Sequence, residues 1–327
     1  MAAKDSVPGY GHRELNGNLG EPLKKSRRSM ALVSLMAREP QGQMQTALPK
    51  IVNREREFEF VEQDFQTVRK LIYARAGINL KAGKQEMVYS RLARRLRTLN
   101  LNTFREYLSL LENERSPEWE NFINAITTNL THFFREAHHF KILAQQYKES
   151  VSSPIFRVWS TASSTGEEVY SIAITLAEAQ AVLGTDASIL ASDLDTNVLA
   201  LARQGIYGID RLESVSLEQR KRYFLRGSGP KEGFVRVRDE IRRGIQFENI
   251  NLMSESWAIK ERFDAIFCRN VMIYFDKETQ YAILRKLSKM LQPDGRLYVG
   301  HSENLLHAKD LFQLCEKTVY RLSDSTH

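Results

Sequence analysis

The sequence is poor in several residue types whose abundance marks common classes of protein. It has only two cysteines in 327 residues. Because Cys268 and Cys315 are isolated, they support neither a disulfide framework nor a cysteine-based metal site. No apolar run reaches the roughly 18 residues that a membrane-spanning helix needs. We therefore expect a protein of the reducing cytoplasm that is not inserted in a membrane.

Proline and glycine are also scarce, and their distribution divides the chain. Four of the eight prolines fall within residues 1–55, which lack hydrophobic periodicity, so we predict a disordered extension there. Residues 56–148 repeat apolar side chains three and four apart and predict a small all-α domain. Residues 149–327 alternate strand and helix patterns, which predicts an α/β domain with a doubly wound, mostly parallel sheet. Gly-Pro turn signals and alternating apolar residues predict an antiparallel β subdomain inserted at about 205–245.

The most informative segment is a turn with a single glycine, residues 158–168 (VWSTASSTGEE). It reads as a strand, a tight turn and a helix start, where doubly wound domains hold a nucleotide-like cofactor. Only Gly166 is present where a dinucleotide-binding turn has G-x-G-x-x-G. The next strand-like run ends in Asp193, an acid suited to bind ribose hydroxyls. The pair suggests a bound adenosine, and a plain strand-to-helix connection is the alternative.

The excess of positive charge lies in the first half of the chain. The net charge is +7; the first 150 residues carry 24 Lys+Arg against 17 Asp+Glu, and the remainder carries 23 of each. Such a field attracts an acidic partner. On a predicted helix, Arg91, Arg94 and Arg95 lie away from the apolar face, and we predict that they dock this partner. A solvated helix face is the alternative.

The sequence lacks the residue arrangements of several common catalytic sites. The sequence offers no Ser-His-Asp arrangement. His132, His138 and His139 make a weak metal motif, because adjacent histidines on a helix point in different directions and no carboxylate or cysteine cluster accompanies them. We predict no metal site.

With these features in order, the sequence resembles the chemotaxis receptor glutamate methyltransferases, the CheR family, from about residue 60 to about 322. The segments that carry the resemblance are residues 129–140 (NLTHFFREAHHF), 159–171 (WSTASSTGEEVYS), 191–195 (ASDLD), 263–275 (FDAIFCRNVMIYF) and 300–304 (GHSEN). One departure is Val169, where many relatives have proline. Proline is favoured in the first turn of a helix but is not required there.

The resemblance implies S-adenosyl-L-methionine as the cofactor, S-adenosyl-L-homocysteine as its product, and methylation of glutamate side chains on the cytoplasmic domain of chemoreceptors. The glutamyl methyl esters would serve sensory adaptation. A glutamate is ionised near neutral pH, so it needs no general base. The cofactor-binding residues that the resemblance implies are Asn129, Thr131, Arg135, Glu168, Asp193, Asn251, Leu252, Arg269 and Asn270.

Arg135 and Tyr274 carry further expectations. The fork of Arg135 is suited to hold a carboxylate of substrate or cofactor by paired hydrogen bonds. Tyr274 is expected to wall the methyl-transfer site. The basic helix would dock receptor helices, and the turn that contains Gly229 resembles family members that bind a receptor C-terminal peptide by strand addition. We expect a monomer with no nucleic-acid partner.

Two other functions remain open from the sequence. A nucleic-acid methyltransferase would also explain the cofactor features and the positive charge, although residues 269–274 (RNVMIY) differ from the Asn/Asp-Pro-Pro-aromatic signature of base methylation. The other is a non-catalytic adaptor that binds the cofactor or its product and docks partners. The presence of Arg135, Asp193 and Asn270 argues against an adaptor.

Overall fold

The structure is a computed structural model that describes residues 10–11, 56–150, 155–183 and 186–324. The predicted disordered extension, residues 1–55, lies outside the described residues except for Tyr10 and Gly11, which form the short strand β1. In the described part of the chain, no helix is long and apolar enough to cross a membrane.

Four helices form an N-terminal domain: α1 (Glu62–Ala76), α2 (Gln85–Leu99), α3 (Phe104–Ser109) and α4 (Glu118–Ile126). Their apolar side chains, spaced three and four apart, meet in one buried core. Gly77 ends α1 in the left-handed conformation, with φ 70°. Thr103 and Glu106 form a capping box that starts α3. The predicted all-α domain is confirmed.

Strands and helices then alternate, as the sequence predicts. The elements are α5 (His138–Glu149), β2 (Ile155–Ser160), α6 (Glu167–Leu183), β3 (Asp186–Asp193) and α7 (Thr196–Gln204). Helix α5 packs with α6, because Phe140, Leu143 and Tyr147 are buried in the same cluster as that helix. Helical periodicity shows which face is buried but does not show which domain covers it.

An inserted subdomain follows α7. It contains β4 (Ile206–Gly208), α8 (Leu217–Tyr223), β5 (Phe224–Gly227), β6 (Phe234–Val237) and α9 (Asp239–Arg242). With β1 these strands form an antiparallel sheet in the order β1-β5-β6-β4. Gly227 ends β5 where a Cβ atom would overlap the Lys231 carbonyl oxygen, so the turn requires glycine. The predicted β insertion is confirmed.

The chain returns to the main sheet through its last elements. They are β7 (Ile245–Asn249), β8 (Phe263–Cys268), α10 (Lys277–Met290), β9 (Leu291–Val299), β10 (Phe312–Glu316) and β11 (Val319–Leu322). The seven strands have the order β10-β11-β9-β8-β2-β3-β7. The five from β9 to β7 are parallel, and β11 is antiparallel to both of its neighbours. The order reverses at β2 and β8, which places a ligand crevice at their carboxyl ends.

Both faces of this sheet are buried, as expected for parallel strands. Val158 and Phe267 belong to one cluster, with α5 and α6. Trp159 and Ile266 belong to the other, with α10. Side chains alternate between the two clusters because successive residues of a strand point to opposite faces. The strands are therefore fixed from both sides, and the loops at their carboxyl ends stand on a rigid base.

Candidate active site

A cavity of about 390 Å³ lies at the carboxyl ends of β2, β3 and β8. Its walls come from the helical domain, from residues 127–135 and from the loops that follow the three strands. The ten residues predicted for cofactor binding and catalysis all line it: Asn129, Thr131, Arg135, Glu168, Asp193, Asn251, Leu252, Arg269, Asn270 and Tyr274. The structure thus brings together residues that span more than 140 positions of sequence.

A larger cavity, of about 560 Å³, lies elsewhere. It is lined by Ile155 and Arg157 at the start of β2 and by the segment between β7 and β8. Of the ten predicted residues, it shares only Asn251. Because ligands of doubly wound sheets bind at the carboxyl ends of strands, we place the site in the smaller cavity.

Hydrogen bonds between the helical domain and the sheet domain hold the cavity walls together. The Asn79 backbone N–H donates to the Tyr274 carbonyl oxygen over 2.8 Å. The Asn251 side chain donates to the Arg75 carbonyl oxygen, also over 2.8 Å. Its oxygen accepts from the Met253 N–H at 2.9 Å, so both polar ends of Asn251 are engaged by the protein. This predicted cofactor-binding side chain therefore ties α1 to the cavity wall.

The turn after β2 is shaped by one glycine. Gly166 has φ 97°, and a Cβ atom there would lie 2.8 Å from the Tyr207 hydroxyl oxygen. Ser164, two residues earlier, also has a positive φ, of 50°. The Ser163 N–H donates to the Ser192 carbonyl oxygen at 2.8 Å, which joins the turn to the end of β3. Hydrogen bonds within the turn, such as Gly166 N–H to Ser163 O, and to the end of β3 therefore hold a turn that contains one glycine.

Asp193 ends β3 with its carboxylate at the cavity wall. One oxygen accepts the Ser164 N–H at 2.8 Å, and the other accepts the Asp195 N–H at 2.9 Å. Burial raises the pKa of Asp193 to about 6, against the opposing effect of these two N–H groups. Each oxygen keeps a lone pair for another donor. A ribose offers two adjacent hydroxyl donors, which suits this carboxylate.

Asp195, two residues on, is a second buried acid that sequence reasoning did not assign. One of its oxygens caps α7 by accepting the Asn197 N–H at 2.9 Å. The other accepts from the Thr127 hydroxyl and the Asn129 amide, each at 2.7 Å. Asp195 thus fixes the segment that carries Asn129. The alternation of acids in residues 191–195 was its only signal in the sequence.

Arg269 is buried between two carboxylates at the cavity wall. One guanidinium nitrogen lies 2.9 Å from a Glu168 oxygen and another lies 3.4 Å from a Glu136 oxygen. Burial raises the pKa of Glu168, and Arg269 opposes that rise. Burial also acts to raise the pKa of Glu136, but Arg269 and His301 outweigh it and lower the pKa to about 2. Arg269 therefore neutralises acidic charge at the cavity rather than presenting a free cation.

Glu303 fixes the loop that carries Asn270 and Tyr274. One carboxylate oxygen accepts the N–H groups of Asn270, at 2.8 Å, and Gly300, at 2.6 Å. The other accepts the Met272 N–H at 2.8 Å. Asn270 has φ 57°, which is an unfavourable conformation that these bonds retain. Sequence reasoning missed this function, although Glu303 lies in the quoted segment 300–304.

Arg135 and Tyr274, the predicted catalytic residues, both reach the cavity. One N–H of Arg135 donates to the Leu130 carbonyl oxygen at 3.0 Å. The residues on either side, Phe134 and Glu136, have positive φ angles of 51° and 57°. This backbone turns the guanidinium toward the cavity. Burial raises the pKa of Tyr274, so its hydroxyl stays protonated at neutral pH.

The three arginines predicted to dock a partner have different surroundings. Arg91 donates to the carbonyl oxygens of Ala125, Ile126 and Thr127, which cap the end of α4. Arg95 forms two bonds of 2.8 Å with the buried Glu118. Arg94 alone of the three is exposed. Two of the three guanidinium groups therefore hold the helical domain together, which helical periodicity could not reveal.

Gly229 lies in the turn between β5 and β6 and is not among the residues that line the cavity. Its φ is 58°, and a Cβ atom there would meet no heavy atom within 4 Å. Leu252, by contrast, is buried in the α10 cluster and forms part of the apolar cavity wall. Thr131 lines the cavity, and its carbonyl oxygen accepts from Arg211 at 3.0 Å.

The histidines form a cluster that includes an acid. Ligand atoms of Glu136, His138 and His139 lie within 4.8 Å of one another, whereas His132 is exposed and outside the group. Burial and the neighbouring Arg269 lower the pKa of His139 to about 3. That guanidinium opposes a further cation at Glu136. The absence of a metal site stays a prediction.

The sheet order, the acid at the end of β3 and the enclosed crevice define an α/β protein that binds a nucleoside-type cofactor. Residues 129–321 match the family model described as the CheR methyltransferase SAM binding domain. Residues 63–127 match the model of the CheR methyltransferase all-alpha domain. The two models meet near residue 128, and the domain boundary at 148–149 stays a prediction of the sequence.

Curated relatives agree with these matches. The chain is 54% identical over 260 residues to the chemotaxis protein methyltransferase of Salmonella typhimurium, which covers 79% of this chain and 90% of that protein. It is 48% identical over 279 residues to chemotaxis protein methyltransferase 2 of Pseudomonas aeruginosa, covering 85% and 99%. The Escherichia coli chemotaxis protein methyltransferase is 52% identical over 260 residues, covering 79% and 90%.

The chain therefore belongs to the CheR methyltransferase family, and its cofactor is S-adenosylmethionine. The cavity suits this molecule. The Asp193 carboxylate fits ribose hydroxyls, the guanidinium of Arg135 fits a carboxylate, and apolar residues such as Leu252 and Val271 fit an adenine ring. When bound, S-adenosylmethionine supplies an electrophilic methyl group on a sulfonium.

Proposed function

We propose that this protein methylates glutamate side chains on the cytoplasmic domain of chemoreceptors, forming glutamyl methyl esters, and that it acts as a cytoplasmic monomer. The observation that carries the proposal is the cavity itself, in which Asp193, Arg135 and Tyr274 meet within a fold that belongs to the CheR family. The names of the relatives, which are chemotaxis protein methyltransferases, support the chemotactic substrate.

The chemistry asks little of the protein beyond placement. A glutamate carboxylate is already ionised near neutral pH, so no general base is needed. The guanidinium of Arg135 can hold a carboxylate by paired hydrogen bonds, and the neutral hydroxyl of Tyr274 can donate to an oxygen nearby. Orientation and exclusion of water can together lower the barrier by several kcal/mol.

The charges behind the cavity fit this role. A third carboxylate, that of the substrate, must approach a site that already contains Glu168 and Asp193. Arg269 pairs with Glu168 at 2.9 Å, which reduces the repulsion that the incoming glutamate meets. The exposed Leu130 and Ile273 line the same cavity and provide apolar surface for a receptor helix.

Arg94 remains available for long-range attraction. It is exposed on α2, while Arg91 and Arg95 bind elsewhere in the helical domain. A charge at the rim raises the rate of encounter more than the final affinity. We therefore assign the docking charge chiefly to Arg94 and retain Gly229 as part of the candidate peptide-binding turn.

Methyl transfer to receptor-containing membranes tests the proposal. Radiolabelled S-adenosylmethionine should give a receptor-bound label that alkali releases as methanol, the behaviour of a glutamyl ester. Replacing the labelled glutamates with alanine should abolish incorporation. A label that resists alkali, or that enters RNA or DNA instead, would support the nucleic-acid alternative. Cofactor binding with no transfer to any of these substrates would support the adaptor.

The variant Arg135→Ala provides a matched comparison within the cavity. Losing a charge-assisted pair costs about 1.5–3 kcal/mol, so we expect kcat/KM to fall about 10- to 100-fold. The exposed Arg94→Ala serves as control, because it removes the same charge without touching the cavity. Equal rates for both variants at high salt would remove Arg135 from the mechanism.

A further inference from the structure

The inserted β subdomain has a strand on its edge that comes from the start of the chain. β1 (Tyr10–Gly11) is antiparallel to β5, with Tyr10 opposite Gly227 and Gly11 opposite Arg226. More than 200 residues of sequence separate the paired strands. The pairing fills the outer side of β5, whose other side is paired with β6.

An open strand edge accepts extended peptides through main-chain hydrogen bonds. The β5 edge is well built for this purpose. Phe224 and Leu225 are both buried, which anchors the strand, and Gly227 lacks the side chain that would collide with the turn. β1 covers the half of β5 that adjoins this turn, Arg226 and Gly227.

We propose that Tyr10–Gly11 is a built-in occupant of a peptide-binding edge, so that a peptide from a partner must displace it before docking on β5. The identity of the partner as a receptor rests on the proposed function, but the displacement does not. Two residues form a short ladder, so the occupant is easily exchanged. This is the behaviour required of an internal competitor rather than of a permanent strand.

The expected effect of β1 on the affinity for an external peptide follows from competition within one chain. A tethered segment acts at an effective concentration of about 1 mM. If the free segment binds with a Kd of about 100 µM, the tether weakens binding of an external peptide about tenfold, equivalent to about 1.4 kcal/mol.

The test uses a synthetic, fluorescent peptide with the sequence of residues 6–15 (SVPGYGHREL). The full chain that carries Tyr10→Pro and Gly11→Pro cannot donate main-chain hydrogen bonds from β1. We expect the peptide to bind this variant about tenfold more tightly than the parent chain. The control, Ala2→Pro with Ala3→Pro, places two prolines in the same extension outside β1 and should behave as the parent. Equal affinities for all three chains, or no binding to any, would overturn the proposal.

A second variant guards against misfolding of the first. Gly11→Cys with Arg226→Cys, in a Cys315→Ser background, joins β1 to β5 by a disulfide between opposite residues. Peptide binding should be lost under oxidising conditions and return to the parent level after reduction. Undiminished binding by the oxidised chain would contradict the proposal. Both measurements report binding alone, so a failure of receptor methylation leaves them intact.

Discussion

Replacing Glu303 tests whether a buried carboxylate outside the cavity lining positions the active-site loop. Its two oxygens accept three backbone N–H groups, from Asn270, Met272 and Gly300. Glu303→Ala leaves all three donors unpaired. Each unpaired buried group costs about 1–3 kcal/mol. Burial raises the pKa of Glu303, so the buried charge itself is unfavourable, and its removal offsets part of this cost. We therefore expect the total loss to lie at the lower end of the range. The unfolding free energy should fall by about 3 kcal/mol.

Glu303→Gln separates positioning from bulk stability. Its amide oxygen can still accept from Asn270 and Gly300, but its NH₂ group then faces the Met272 N–H, and one donor is lost. We expect a loss of about 1–3 kcal/mol, intermediate between parent and alanine variant. Because the Met272 N–H, in the loop that carries Asn270 and Tyr274, is released, affinity for S-adenosylhomocysteine should also fall, by about tenfold for 1.4 kcal/mol.

The assays are urea unfolding and calorimetric titration with S-adenosylhomocysteine, followed by kcat and KM for methyl transfer. Glu255→Gln is the matched control, because Glu255 is exposed and undergoes the same chemical change. If both Glu303 variants unfold within about 0.5 kcal/mol of the parent and bind the product equally well, the loop is not held by this carboxylate. A lower stability with unchanged affinity would make Glu303 structural only.

Three further predictions concern the charged groups around the cavity. Arg269→Met leaves Glu168 and Glu136 buried without their cation, and urea unfolding should show a loss of about 3–5 kcal/mol. Folding lowers the pKa of Glu136 to about 2 from 4.5. The pairing with Arg269 therefore stabilises the fold fully at pH values above 4.5, and this stabilisation is lost as the pH falls toward 2. The unfolding free energy of Arg269→Met should depend less on pH over this range, and an unchanged dependence would contradict the pairing. The pKa of Asp193 is raised to about 6, and binding of ribose hydroxyls requires the ionised acid. Affinity for S-adenosylhomocysteine should therefore weaken up to about tenfold per pH unit below pH 6, whereas that of Asp193→Asn should not change with pH. Equal pH profiles for the two chains would exclude Asp193 from ribose binding. Arg94→Glu should slow receptor methylation at low salt and leave the unfolding free energy unchanged. Arg91→Ala should lower the unfolding free energy, because it removes the hydrogen bonds to the end of α4. The opposite results for the two variants would restore Arg91 to the docking surface.

The sequence by itself determined the order and type of most elements. Apolar periodicity predicted the helical domain and the alternating α/β domain, because burial on one face leaves a period that is local in sequence. The apolar start of the quoted segment 263–275 forms the strand β8, Phe263–Cys268. The single glycine of the turn, Gly166, distinguished this site from a dinucleotide fingerprint. The resemblance named ten pocket residues, which the structure places on one cavity; their individual roles stay predictions.

Only the tertiary structure decided which groups meet. Arg91 and Arg95 read as free charges on a helix, but long side chains reached the end of α4 and the buried Glu118. Glu303 meets Asn270 across 33 positions, and β1 meets β5 across more than 200. A periodic pattern reports that a face is buried or solvated; it carries no information on a partner distant in sequence. Pairings of that kind are set by the packing of whole elements, and at this site they determine which charges are free and which strand edge is open.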